Sequence, residues 1–125
     1  MGDRPTGKLA YLSEPENVEI QEYEVPEPEP GAVLTEVEQA NVCGSELHIW
    51  RGHHPEVNEG VLGHEVLCRV SELGEGVETD YAGDPIEEGD LVAPAYYITC
   101  QRCSSCQQGQ FNLCQNAYEN WSKPP

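Results

Sequence analysis

Basic residues are scarce in this chain. Six Lys and Arg, with lysine only at Lys8 and Lys123, face 23 Asp and Glu, for a net charge of −17. Such a surface repels phosphate backbones, which argues against nucleic acid as a partner. Its plain reading is a strongly hydrated shell, and it also fits a high-salt setting. Long apolar runs are missing as well: 38% of the residues are hydrophobic, and none of the runs approaches the ~18 residues of a membrane-spanning helix. A soluble chain with no membrane partner is expected. Met1-Gly2-Asp3-Arg4 lacks the charged-then-apolar pattern of a signal peptide, so a cytoplasmic, reducing compartment is expected. Met1-Gly2 with Thr6 fits a myristoylation pattern and Asn120-Trp121-Ser122 a glycosylation sequon, but both patterns are too short to carry weight.

A length of 125 residues is one domain's worth of chain, enough to bury roughly two thirds of its unfolded surface. "KLAYLSE" (8–14) and "VEIQEYEV" (18–25) alternate loosely between apolar and polar residues across a Pro-Glu-Asn turn signal, which predicts a β-hairpin. Pro26, Pro28 and Pro30 then impose an extended connection. Strand patterns return at 32–42, 65–73 and 90–98, with one brief helix at 45–50. The chain is therefore expected to be mainly β, and it carries no internal repeat. "GEGVET" (74–79) approaches a dinucleotide fingerprint but lacks its third glycine, offers Glu75 and Glu78 to a pyrophosphate, and precedes no helix pattern. It reads as a turn.

Four of the six cysteines fall in "CQRCSSCQQGQFNLC" (100–114), spaced C-x2-C-x2-C-x7-C. Four thiolates suit zinc or iron by donor type. Cys100, Cys103 and Cys106 have the spacing of a bacterial ferredoxin run, but that run continues with x3-C-P, whereas Cys114 follows seven residues later and precedes Gln115. Disulfides are disfavoured by a reducing compartment and by C-x2-C spacings too short for relaxed bridges. Zinc is the preferred occupant. A site closed by four cysteines has no open coordination position, so it shapes a loop and does no chemistry.

Chemistry is sought instead at Cys43 in "CGSELH" (43–48) and His64 in "GHE" (63–65). A thiolate and an imidazole form part of the mixed set that catalytic zinc uses, needing one further protein ligand and leaving one position for substrate. Glu46 is placed to accept the free ring N–H of His64 and fix its tautomer. Ser45 and His48, three apart on a short helix, share a face and could pass a proton toward solvent.

With these motifs in order, the chain from about residue 8 onward resembles the N-terminal, GroES-like catalytic part of the zinc-dependent medium-chain alcohol and polyol dehydrogenases. "CGSELH", "GHE" and the four-cysteine segment match that family's order, and the glycines of "GEGV" (74–77) and "GDLV" (89–92) fit its pattern. The resemblance implies a GroES-like β-barrel with short helices over residues 1–125 and a structural zinc lobe at 100–114 held by Cys100, Cys103, Cys106 and Cys114. It implies Cys43 and His64 as catalytic zinc ligands with Glu65 beside them, Ser45 and His48 as a proton relay, and Glu46 behind His64 where the family often has Asp. A third ligand, the Rossmann domain that binds NAD or NADP, and the return segment that completes the domain fall beyond residue 125 in this family. The chain alone is expected to be incomplete and inactive, and the full-length enzyme to be a homo-oligomer acting on a small alcohol or polyol. Cys68 stands where the family usually has glycine and is read as a buried strand thiol; 80–88 reads as a surface insertion, and His53 and His54 as solvated loop residues. Two rivals follow from the same residues: a free-standing GroES-like binding or structural module, and a small iron–sulfur carrier.

Overall fold

The computed structural model describes residues 3–95 and 98–117. The Met1-Gly2 pattern and the 120–122 sequon lie outside them. Alternation of apolar and polar residues builds β1 (Thr6–Glu14) and β2 (Asn17–Glu24) into an antiparallel hairpin, in which Leu12 is fully buried. Pro15 and Glu16 make the turn, and Glu16 takes a positive φ of 65°, the third-position conformation of a type II turn that follows proline. A bulge between Leu12 and Glu14 follows. β4 (Gly60–Val61) pairs with the other edge of β1, giving a first sheet in the order β2-β1-β4.

The second sheet has the order β3-β5-β6, from Val33–Asn41, Glu65–Leu73 and Leu91–Val92. In β5 the alternation is clean: Cys68 and Val70 are buried while Leu67 and Arg69 face outward. Cys68 is thus the buried strand thiol that its position predicts. Glu38 sits at a bulge of β3 between Val37 and Gln39, and its two carboxylate oxygens each accept from Arg69 at 3.1 Å. That paired guanidinium holds the Glu38 carboxyl below the usual carboxylate range. The expected strand over 90–98 is ordered as ladder only at Leu91–Val92; Pro94 has no N–H to extend it, and Tyr96 and Tyr97 lie outside the described residues.

Helix α1 (Gly44–Trp50) runs off the end of β3 and buries Ile49 against Leu12 and Val57, with Trp50 and Leu62 packed at the margin. The hairpin tip is tied to this helix: the Glu16 amide donates to the Trp50 carbonyl at 2.7 Å, and a side chain at Gly52 would meet Pro15 at 2.8 Å. The 74–77 segment is the expected turn, closed by Val77 N–H to the Gly74 carbonyl at 3.2 Å. At Gly74 an added Cβ would lie 2.1 Å from the Glu29 carbonyl oxygen and 2.7 Å from that of Ala32, both backbone atoms. Gly74→Ala should therefore cost about 1–3 kcal/mol as overpacking, read as a lower denaturant midpoint with an unchanged slope.

The 80–88 segment is an exposed turn, closed by the Thr79–Pro85 bridge and by Asp80 accepting the Ala82 and Asp84 amides. No helix among the described residues is long and apolar enough to cross a membrane.

Candidate functional site

Register places the first cluster. Asn41 at the end of β3 pairs with Glu65 at the start of β5, so the residues just beyond them, Cys43 and His64, emerge side by side from one end of the sheet. Cys43 is the N-cap of α1, extended at φ −89° and ψ 150°, but its side chain makes no capping bond. The Cys43 Sγ, a His64 ring nitrogen and a Glu65 carboxylate oxygen all lie within 4.8 Å of one another. One thiolate, one imidazole and one carboxylate so spaced match the donor types that zinc takes at about 2.0–2.3 Å.

Behind His64 stands Glu46, the one charged side chain that is buried among the described residues. Its Oε1 is 3.6 Å from His64 Nδ1, with both side chains 9% exposed. This is a close electrostatic contact and exceeds hydrogen-bond length. Glu46 Oε1 and Ser45 Oγ are buried without hydrogen-bond partners. Leaving such atoms unpaired costs about 1–3 kcal/mol each, so their retention fits a metal-binding imidazole whose Nδ1–H needs an acceptor and a hydroxyl kept for a substrate group. His48, three residues after Ser45 on α1, is exposed and is not hydrogen-bonded to it.

His53 is exposed, but His54 departs from the expected solvated loop. Half-buried, its Nδ1 accepts the amides of Glu56 at 3.1 Å and Val57 at 2.9 Å, and so organises the turn that buries Val57.

The four loop cysteines form the second cluster, with their sulfurs within 4.8 Å of one another. Two elements too short to read from periodicity shape it: α2 (Ser104–Gln107), capped by Cys103 Sγ accepting from the Cys106 amide, and a 3-10 turn, Phe111–Leu113. Amides two or three residues after Cys100, Cys103 and Cys114 point back at those three sulfurs. Arg102 and Cys103 donate to Cys100 Sγ at 3.5 and 3.3 Å, Cys106 to Cys103 Sγ at 3.5 Å, and Asn116 to Cys114 Sγ at 3.4 Å. Asn116 also gives its side-chain amide to Cys100 Sγ at 3.4 Å, a role that spacing reasoning missed.

These donors stabilise thiolate charge. The Asn116 side chain first and the Arg102 amide second lower Cys100 to about 6, and the Gln115 and Cys106 amides lower Cys103. Burial pushes Cys106 up to about 12. A metal taken up by all four sulfurs at neutral pH must displace at least the Cys106 proton, so its affinity falls as pH falls.

The two clusters, in this order along a mainly β chain, carry the resemblance, and comparison with known proteins agrees. The alcohol dehydrogenase GroES-like domain family matches residues 29–122. The 5-exo-hydroxycamphor dehydrogenase of Pseudomonas putida is 41% identical over 100 residues, covering 79% of this chain and 28% of that protein. Among solved structures, an alcohol dehydrogenase from Thermotoga maritima superposes with a TM-score of 0.80 at 31% identity, over 90% of this chain and 31% of its own. A dehydrogenase from Sinorhizobium meliloti 1021, named as zinc-binding and holding NADP, gives 0.75 at 32% identity over the same shares of 90% and 31%. The chain thus spans under a third of the length of the proteins it matches. Through the match over 29–122 and the mainly β fold that superposes on these enzymes, the chain belongs to the alcohol dehydrogenase GroES-like domain family.

Proposed function

We propose that this chain is the N-terminal catalytic portion of a zinc-dependent dehydrogenase that moves hydride between a primary or secondary alcohol, or a polyol, and NAD or NADP. The observation that carries the reading is the convergence of Cys43, His64 and Glu65 within 4.8 Å, backed by the buried Glu46.

In this role Cys43 and His64 hold zinc with Glu65 as a further or exchangeable ligand, and Cys100, Cys103, Cys106 and Cys114 hold a second, structural zinc. Zinc, when bound at the first site, would supply Lewis-acid chemistry to a substrate oxygen. Ser45 Oγ takes the alcohol proton, and His48, exposed on the same helix, delivers it to solvent. Glu46, with Oε1 3.6 Å from His64 Nδ1, would orient that imidazole through its charge and leave the other ring nitrogen to a metal. A nicotinamide cofactor, when bound, would supply the hydride acceptor.

The test is the full-length protein loaded with zinc and offered a panel of primary, secondary and polyhydric alcohols with NAD or NADP, followed by the absorbance of the reduced nicotinamide. Turnover that disappears on chelation and returns with zinc is expected; zinc-loaded protein that reduces neither cofactor would refute the proposal. Glu46→Gln keeps an oxygen acceptor but removes the charge. It should lower zinc affinity at the first site or kcat/KM by about 10–100-fold, with the structural zinc retained. An unchanged zinc titration and rate would remove Glu46 from this role.

A further inference from the structure

Both segments that meet behind the first cluster are supported by β1. Helix α1 carries Ser45, Glu46 and His48, and its Ile49 packs on Leu12 of β1. β4 pairs Gly60 with Leu12 and Val61 with Tyr11, and His64 follows three residues after Val61. The 3.6 Å contact between Glu46 and His64 therefore joins two segments whose common support is one strand.

The tip of the same hairpin holds the far end of α1. A helix of seven residues is too short to be stable by itself, so its direction is set by what grips its ends. Its last carbonyls have no later turn to accept from. The Gly52 and His53 amides donate to those of Ile49 at 3.0 Å and His48 at 2.8 Å, and the Trp50 carbonyl accepts from Glu16 at the hairpin tip, at 2.7 Å. Glu16 stands at a φ of 65°, a conformation that a residue with a side chain keeps only where its surroundings fix it. Pro15 covers Gly52: a Cβ added there would lie 2.8 Å from Pro15 Cγ and 3.1 Å from Pro15 Cβ. The tip fills the space that a side chain at 52 would need.

We propose that Pro15, Glu16 and Gly52 are positioning residues for the first cluster: seated on the last turn of α1, the hairpin tip aims the helix and so sets the distance of Glu46 from His64. The tip touches neither the Cys43–His64–Glu65 group nor a substrate, and acts through Glu46. The proposal rests on the function above only where it takes that group for a zinc site. The cysteine lobe is the internal control, because its sulfurs are held by amides of their own segment.

The experiment compares Gly52→Ala with Gly83→Ala in the full-length protein. Gly83 has a φ of 92° and open space where its Cβ would go, so its alanine carries the left-handed strain without meeting the tip. Zinc is titrated against a chromogenic chelator, and the metal-free variants are crystallised. Gly52→Ala should weaken zinc at the first cluster by about tenfold or more, as expected when the group behind a ligating histidine is disturbed, and leave the lobe zinc in place. In the metal-free crystal its Glu46–His64 separation should change by about 0.5 Å or more. Gly83→Ala should do neither. Adding Pro15→Gly to Gly52→Ala removes both colliding atoms and should restore most of the zinc affinity. Equal effects of the two alanines, a loss that Pro15→Gly does not relieve, or an unmoved Glu46–His64 pair would overturn the positioning role. If the wild-type protein binds only the lobe zinc, the reading of Cys43 and His64 as metal ligands fails, and the metal-free separation alone decides for or against the tip.

Discussion

Replacing Cys43 or His64 by alanine in the full-length protein should leave a folded enzyme with one zinc fewer per chain and kcat/KM lower by about 10³-fold or more. The magnitude follows from the Lewis acid: stabilising the alkoxide contributes several kcal/mol, and each ~1.36 kcal/mol is tenfold in rate. The fold should survive because neither residue belongs to the Leu12–Ile49–Val57 core or to a strand ladder. The two variants should nevertheless differ in stability. Cys43→Ala removes a half-buried thiol that makes no capping bond at the start of α1. His64→Ala strips the buried Glu46 of its neighbour at 3.6 Å and leaves a carboxylate whose Oε1 already lacks a hydrogen-bond partner with still less to compensate its burial, a situation that costs more than losing the imidazole's own contacts. His64→Ala should therefore have the lower melting temperature for the same loss of zinc. Combining the substitutions should not multiply the rate defect, since both dismantle one site. Kinetics, elemental zinc and thermal unfolding on the three proteins check the set; a single variant retaining wild-type turnover would remove its residue from the metal.

Cys106→Ser should delete the other zinc and unfold the lobe while the sheets persist. A structural zinc contributes about 10–16 kcal/mol of apparent binding energy in small zinc-folded peptides. The segment has little else to hold it: Cys106 is the buried residue of α2, while Ile98 and Leu113 are 67% and 58% exposed. Serine matches the size but is a far poorer zinc ligand at neutral pH. Hydrogen exchange would locate the damage. Amides over 98–117 should exchange freely in the variant, and those of the β3–β5 ladder should keep their protection. Full zinc retention with unchanged lobe protection would show that three thiolates suffice and that the lobe is held by something other than its closed metal site.

What the sequence allowed to be read depended on how many residues carried each signal. β5 was legible to the residue because Val66, Cys68 and Val70 alternate over nine positions. β4 was not, because two residues, one of them Gly60 at a φ of 120°, have no period to detect. The cysteine lobe was legible as a ligand set from spacing alone, yet its two short helical turns were not, since they follow from sulfur–amide bonds such as Cys103 to Cys106. Cys43 and His64 were singled out by residue type and motif order. Their meeting depends on the Asn41–Glu65 register, which one bulge on each strand, at Ser71 of β5 and Glu38 of β3, adjusts and which no local pattern encodes. The assignment at His54 needed coordinates for the same reason: an Nδ1 acceptor decides it, and that leaves no mark in composition.

The acidic exterior has a consequence for the cofactor. Glu19, Glu22, Glu24, Glu27 and Glu29 are all exposed along β2 and the proline-rich connection after it. In the function proposed above, a nicotinamide dinucleotide, itself an anion, would meet these fixed charges as an opposing field. Mobile counterions weaken the opposition over a Debye length of about 8–10 Å at 0.1–0.15 M salt. Added salt, which ordinarily loosens the grip of a protein on a phosphate, would here first screen the repulsion, making ionic strength a control on how fast the cofactor arrives.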